Sequence, residues 1–270
     1  VYLYKFLNFF SSNITLELAD ILYPPIVTAI GVVFFYLFVK KLFNARAALI
    51  ASVFLIVVPA FLYRTMGGVP DKEPLGIALM FAAFYFYISS LKSEKLPLSM
   101  VYAALAGIAT GFMGLIWGGV TTIFLVVGLT TLVELFLGKL KRKDIYSYAL
   151  LVVITVVILS NLSGGRFPLS SFLTSFTSGM MIFALMVALT QGMLFEFNLG
   201  KMKEKFSRHP QGLLSFVIAA VLGLIVFTVV FGPGYLIGRI ADIYSDLVEP
   251  FGRSRWALTV AENHQPYLTD

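Results

Sequence analysis

Long apolar stretches alternate with short polar loops through most of the chain. Eight of them, at residues 21–39, 47–63, 74–91, 96–115, 120–137, 145–162, 180–197 and 213–231, approach the ~20 residues a helix needs to cross a hydrocarbon core. They predict eight spanning helices. The fourth and fifth are separated only by Ile116-Trp117-Gly118-Gly119, which predicts a tight turn. Residues 1–20 carry Tyr2, Tyr4, Phe6, Phe9 and Phe10 ahead of Ser11, Ser12 and Asn13, the composition of an interfacial segment or external loop. Residues 232–270 do not span. Within them Leu236, Ile240, Ile243, Tyr244 and Leu247 recur at helical spacing, which predicts an amphipathic helix lying on the membrane until Pro250, Gly252 and Ser254 break it. The pattern as a whole is all-α: a polytopic helical domain over 21–231 with an external segment on either side.

Composition agrees with this picture. Hydrophobic residues make up 59% of the chain and charged residues 13%, about half the charged share of a soluble domain. The net charge is +6, and its placement matters more than its size. The loops after odd-numbered runs hold Lys40, Lys41, Arg46, Lys92, Lys95, Lys139, Lys141, Arg142, Lys143, Lys201, Lys203, Lys205 and Arg208, whereas those after even-numbered runs hold only Arg64, Lys72 and Arg166. Basic loops stay cytoplasmic. The excess is therefore a topology signal, which calls for membrane lipids as partners and no nucleic acid. Glu17, Asp20, Asp71, Glu73, Asp242, Asp246, Glu249, Glu262 and Asp270 then face outward, as do both chain ends. Glu134 and Glu196 fall near inner helix ends, within reach of water or lysines, and Gln191 is placed to hydrogen-bond between helices. With no cysteine, redox compartment is not addressed. The chain begins at Val1 rather than Met and stops soon after a polar motif, so it is expected to be a piece of a longer protein.

The loop Gly67-Gly68-Val69-Pro70-Asp71-Lys72-Glu73-Pro74 carries the first candidate chemistry. Asp71 and Glu73, one residue apart, repel unless a cation lies between them, and paired oxygen ligands suit hard divalent ions such as Mg²⁺ or Mn²⁺. Taken alone, the triplet reads first as a solvated turn. Glu262 and His264, far downstream, read alone as a surface acid and a surface histidine. Together with Asp71 and Glu73, Glu262 gives three carboxylates on one side of the membrane, able to hold a metal or a cationic substrate.

Thr259-Val260-Ala261-Glu262 resembles the T-[IV]-x-E motif of the prokaryotic oligosaccharyltransferase catalytic subunit. Glu262 with His264-Gln265-Pro266 is similar to the S-V-S-E-H-Q-P form of the eukaryotic counterpart, with Asn263 as an extra residue. Asp71-Lys72-Glu73, after Gly67-Gly68 and before a long helix, is similar to the family's second D-x-[DE] motif, and Trp117-Gly118-Gly119 to its W-G-G turn. Each motif alone is weak or moderate, and the ordered set is strong. The resemblance covers essentially the whole chain, as an archaeal-type membrane domain from its second spanning helix to its fifth external loop.

The resemblance implies a cell-membrane enzyme of the C-type glycosyltransferase superfamily, active on the external side. Its reaction would move an oligosaccharide from a polyprenyl (dolichyl) phosphate or pyrophosphate carrier to the Asn of an acceptor polypeptide's Asn-x-Ser/Thr. It places Asp71 and Glu73 on Mg²⁺ or Mn²⁺, with Glu262 reaching the metal and the acceptor amide. Asp71 and Glu262 are then the catalytic candidates. Arg253, Arg255 and His264 are candidate substrate contacts; guanidinium suits the carrier's phosphate, and equally a lipid headgroup. The family's first D-x-D would precede Val1, and its W-W-D-Y-G would follow Asp270, so this piece alone is expected to be inactive. Pro70 and Pro74 around the acidic triplet depart from the pattern. Asn13-Ile14-Thr15 and Asn161-Leu162-Ser163 match glycosylation sequons. Three rivals stay open. A transporter would carry its acids at mid-membrane depth on broken helices. A protein O-mannosyltransferase would share acidic external loops without the Asn-serving Thr259–Glu262 motif. A non-catalytic scaffold would tolerate replacement of all three acids.

Overall fold

The computed structural model describes residues 2–10, 13–197, 204, 210–232 and a few positions from 234 to 248. The predicted amphipathic helix over 236–247 falls largely outside them, and the Thr259–Glu262 motif wholly so. No strand occurs among the described residues. The helices are α1 (Tyr2–Phe10), α2 (Leu16–Leu42), α3 (Ala45–Val57), α4 (Pro59–Thr65), α5 (Glu73–Lys92), α6 (Leu96–Ile116), α7 (Val120–Phe136), α8 (Arg142–Leu162), α9 (Leu169–Thr174), α10 (Phe176–Gln191), continued by a π-helical turn (Gly192–Glu196), and α11 (Gln211–Phe231). Two compact units, Val1–Phe216 and Val217–Asp270, divide inside α11.

Each of the eight apolar runs is helical over most of its length, and among the described residues six helices are long and apolar enough to cross a membrane outright. The other two runs take other forms. The run at 47–63 is a pair, α3 and α4, bent by 68°. Pro59 explains the break: it cannot donate to the helical ladder, its ring clashes with the carbonyl four residues earlier, and it sits comfortably as the first residue of a new helix. The run at 120–137 is the shorter helix α7. The first spanning run is longer than expected: α2 begins at Leu16, where the Thr15 hydroxyl accepts from Leu18 N–H, and continues through Pro24 and Pro25. Within lipid a broken helix would leave far more backbone groups unbonded than two prolines do, so a proline pair that would end a soluble helix is tolerated. The aromatic segment at the start is helix α1.

Packing separates core helices from peripheral ones. Half of the apolar window of α5 and of α6 is buried, against 11% for α2. α5 lies between α2 and α6, α6 packs on α8, and α7 packs on α10. Small residues let α6 and α8 approach closely. A Cβ at Gly107 would stand 2.8 Å from the Leu151 carbonyl oxygen, at Gly111 2.8 Å from Ile158, and at Gly114 2.7 Å from Leu159. Bare α-carbons in contact supply the van der Waals packing that replaces the hydrophobic effect in lipid. Polar bonds tie the lysine-rich end: the Ser99 hydroxyl lies 2.8 Å from that of Ser147, Ser90 donates to the Ser99 carbonyl at 2.8 Å, and Lys143 donates to the Leu91 carbonyl at 3.0 Å. Ser215 donates to Gln191 Oε1 at 2.7 Å, the interhelical bond expected of that glutamine. Glu196 is exposed, whereas Glu134 is half-buried with one carboxylate oxygen covered and without a hydrogen-bond partner.

The Gly107 contact is with backbone, which cannot swing aside. Gly107→Val is therefore expected to destabilise the membrane domain by ~2 kcal/mol. Gly118→Ala, whose new Cβ would meet only the Arg166 side chain at 3.5 Å, should leave stability unchanged. Thermal unfolding of the two variants in detergent checks the contrast.

Candidate active site

The acidic loop is built by a sharp return of the chain. α4 ends at Thr65, whose hydroxyl bonds back to the Phe61 carbonyl at 2.8 Å. Gly68 then takes a φ of 87°, a left-handed turn that a side chain would resist. Asp71 N–H donates to the Val69 carbonyl at 2.9 Å, closing a three-residue turn centred on Pro70. The proline ring presets the φ that such an inverse turn uses. Glu73 opens α5, and Pro74 lies in its first turn, where no N–H is needed. The two prolines that depart from the family pattern are thus the devices that shape the loop. Asp71 Oδ1 accepts from Lys72 N–H at 2.6 Å, and Glu73 stands at a helix N-terminus, where negative charge is favoured.

These turns bring both acids to one cation. Arg64, near the end of α4, holds Nη1 3.3 Å from Glu73 Oε1 and 3.8 Å from Asp71 Oδ2. The Glu73 side chain is 16% exposed and that of Asp71 36%, so the first is enclosed and the second reaches solvent. In the sequence Arg64 stands out only as a stray basic residue ahead of the acidic loop. The available signal was its position seven and nine residues before the acids, with Gly67-Gly68 between to fold the chain back.

The W-G-G turn belongs to the same end of the bundle. A Cβ on Gly76, one turn into α5, would stand 2.9 Å from Trp117 Cε3, so the indole fills the space left by the glycine. A Cβ on Gly119 would stand 2.5 Å from Trp117 Cζ3, and the Arg166 guanidinium lies over the Phe167 ring, 5.4 Å from its centroid. Among the described residues no three metal-binding side chains converge. Asp71 and Glu73 are brought together; Glu262, Arg253, Arg255 and His264 lie outside the described residues.

Comparison with known proteins extends this picture. The family described as "Oligosaccharyl transferase STT3, N-terminal" matches residues 1–268. A glycosyltransferase subunit, stt3, of Schizosaccharomyces pombe is 24% identical over 222 residues, covering 82% of this chain and 28% of the relative. The STT3A subunit of Oryza sativa subsp. japonica is 27% identical over 152 residues, covering 56% of this chain and 19% of that protein. The fold resembles Archaeoglobus fulgidus AglB, solved with an inhibitory peptide and a dolichol-phosphate, with a TM-score of 0.68 at 18% identity over 96% of this chain and 31% of that one. It also resembles an Archaeoglobus fulgidus oligosaccharyltransferase solved with Zn and sulfate, with a TM-score of 0.61 at 21% identity over 92% and 34%. The chain spans between 19% and 34% of the length of these proteins. A match along nearly the whole chain, on an all-helical bundle with the acidic loop and the W-G-G turn at one end, places this polytopic membrane chain in the STT3 oligosaccharyl transferase family.

Proposed function

We propose that this chain forms the membrane part of an enzyme that transfers an oligosaccharide from a polyprenyl (dolichyl) phosphate or pyrophosphate carrier to Asn in Asn-x-Ser/Thr, with Mg²⁺ or Mn²⁺ as cofactor. In this reading residues 1–20 and 232–270 are external segments around the spanning domain, and the active face is the external side of the cell membrane. The observation that carries it is the convergence of Asp71 and Glu73 on a single positive charge at one end of the bundle. Two carboxylates that reach the same guanidinium nitrogen also have the donor chemistry to share a hard divalent ion. The fit is therefore good, and Asp71 and Glu73 are the residues that would hold it. Held there, a divalent ion would supply Lewis acidity toward the departing phosphate.

The chain's own residues have the remaining work. An amide nitrogen is a poor nucleophile because its lone pair is delocalised into the carbonyl. Glu262 and Asp71, by accepting hydrogen bonds from the acceptor's N–H groups, weaken that conjugation and receive charge that develops there. Arg253 and Arg255 pair with carrier phosphate oxygens, and His264 is a further substrate contact. Dolichol-phosphate and peptide in the Archaeoglobus AglB complex support these partner classes, and Zn in the second complex supports a metal of some kind.

The test is transfer by the full-length protein from a lipid-linked oligosaccharide to a peptide containing Asn-x-Thr or Gln-x-Thr. Glycan should appear on the Asn peptide only, vanish with chelator and return with Mn²⁺. Product on a Ser or Thr hydroxyl, or transfer indifferent to chelation, would replace this reading with that of another polyprenyl-linked glycosyltransferase.

A further inference from the structure

Both acids of the loop meet the same guanidinium nitrogen, and they meet it loosely. Arginine commonly grips a carboxylate with two parallel N–H bonds of about 2.7–2.9 Å. Here Arg64 Nη1 makes one long bond to Glu73 Oε1, at 3.3 Å, and only an electrostatic contact with Asp71 Oδ2, at 3.8 Å. The element that carries Arg64 also has space beside it. α4 is a seven-residue helix set off from α3 by the 68° bend. A cavity of about 480 Å³ is lined by Pro25, Thr28 and Val32 of α2, Ile56 of α3, and Phe61 and Thr65 of α4. Along that face α4 is not braced by packed side chains.

Resting on the metal reading above, we propose that Arg64 is a built-in counter-ion, which neutralises the Asp71–Glu73 pair in the metal-free state and competes with a divalent ion for the same oxygens. Two carboxylates one residue apart repel each other. Glu73 is also enclosed, where a charge without a partner is costly. The guanidinium answers that charge. A divalent ion drawn to the same oxygens meets a positive charge already there, and like charges at this range repel. Binding therefore requires Arg64 to withdraw, and its long contacts through one nitrogen resist that only weakly. The arginine thus sets the ion concentration at which the pair is filled. An arginine that merely closed the loop, or faced the C-terminal end of α4, would hold the two acids in place and so favour the ion. The two roles predict opposite signs.

The experiment uses full-length enzyme with Arg64→Gln, which removes the charge and retains a hydrogen-bond donor. Mn²⁺ binding without substrates, read by electron paramagnetic resonance, should tighten about tenfold, the scale on which neighbours of metal ligands alter affinity. Arg64→Lys, which keeps the charge, should show no such tightening. Unchanged or weaker Mn²⁺ binding in Arg64→Gln overturns the proposal, and so does equal tightening in Arg64→Lys. A second measurement needs no variant. Phenylglyoxal modifies accessible guanidinium groups. Its rate at Arg64 in wild-type enzyme, followed by peptide mass spectrometry, should rise when Mg²⁺ is added. A rate that Mg²⁺ leaves unchanged or lowers overturns the proposal, even where Arg64→Gln fails to insert. If instead Asp71→Ala binds Mn²⁺ as wild type does, the metal reading itself fails, whatever Arg64→Gln shows.

Discussion

Asp71→Ala in the full-length enzyme is expected to abolish metal-dependent transfer while leaving the protein folded and inserted. The loss should exceed about a hundredfold, since replacing a residue that merely supports a metal ligand already costs roughly 10–100-fold. Asp71 is the better choice of the two acids. It is the more exposed, and its Arg64 contact is the longer, at 3.8 Å against 3.3 Å for Glu73. Its removal leaves the Arg64–Glu73 pair to hold the start of α5. A surface pair of this kind contributes little to stability, so the change should register in activity and metal binding, with the melting temperature unmoved. Transfer at the wild-type rate and with the wild-type response to metal would falsify the assignment of this loop.

Glu262→Gln is expected to produce the second large loss, about a hundredfold or more in transfer rate, the range for a carboxylate that accepts a proton or its charge in the transition state. Glutamine keeps the shape and length of the side chain and removes its charge. It still accepts one hydrogen bond, but it repels the second N–H of an acceptor amide and offers a metal only a neutral oxygen. Binding of the lipid-linked donor should be spared, because the donor's phosphate does not need this carboxylate. A direct donor-binding measurement beside the transfer assay separates the two effects. Wild-type transfer by Glu262→Gln would reduce the reading to an unspecified polyprenyl-linked glycosyltransferase.

Much of the architecture was legible because lipid imposes a coarse rule: a crossing segment must be apolar for about twenty residues. Every run that satisfied it is helical. Direction within the membrane was less legible. Hydropathy counts apolar residues and is blind to the angle between them, so the run at 47–63 gave no sign of its 68° bend beyond Pro59 itself. The same residue type had opposite outcomes elsewhere, since Pro24 and Pro25 lie inside a continuous α2. One-dimensional pattern does not separate the two cases. At the candidate site the acids were readable as a motif, whereas Arg64 was not, because its partnership depends on a left-handed glycine and a proline-centred turn folding the chain back.

Helix α7 has a consequence for the bilayer around the molecule. Its 17 residues give a rod of about 26 Å, some 4 Å short of a typical hydrocarbon thickness of ~30 Å. Lys139, Lys141 and Arg142 follow it, basic residues of the kind that hold a helix end among headgroups. The shortfall therefore falls at the other end, where Trp117-Gly118-Gly119 makes the turn. Hydrophobic mismatch of this sign is relieved by local thinning of the membrane. If α7 crosses the bilayer, lipids thinned to its length would bring the headgroup plane down to the W-G-G turn.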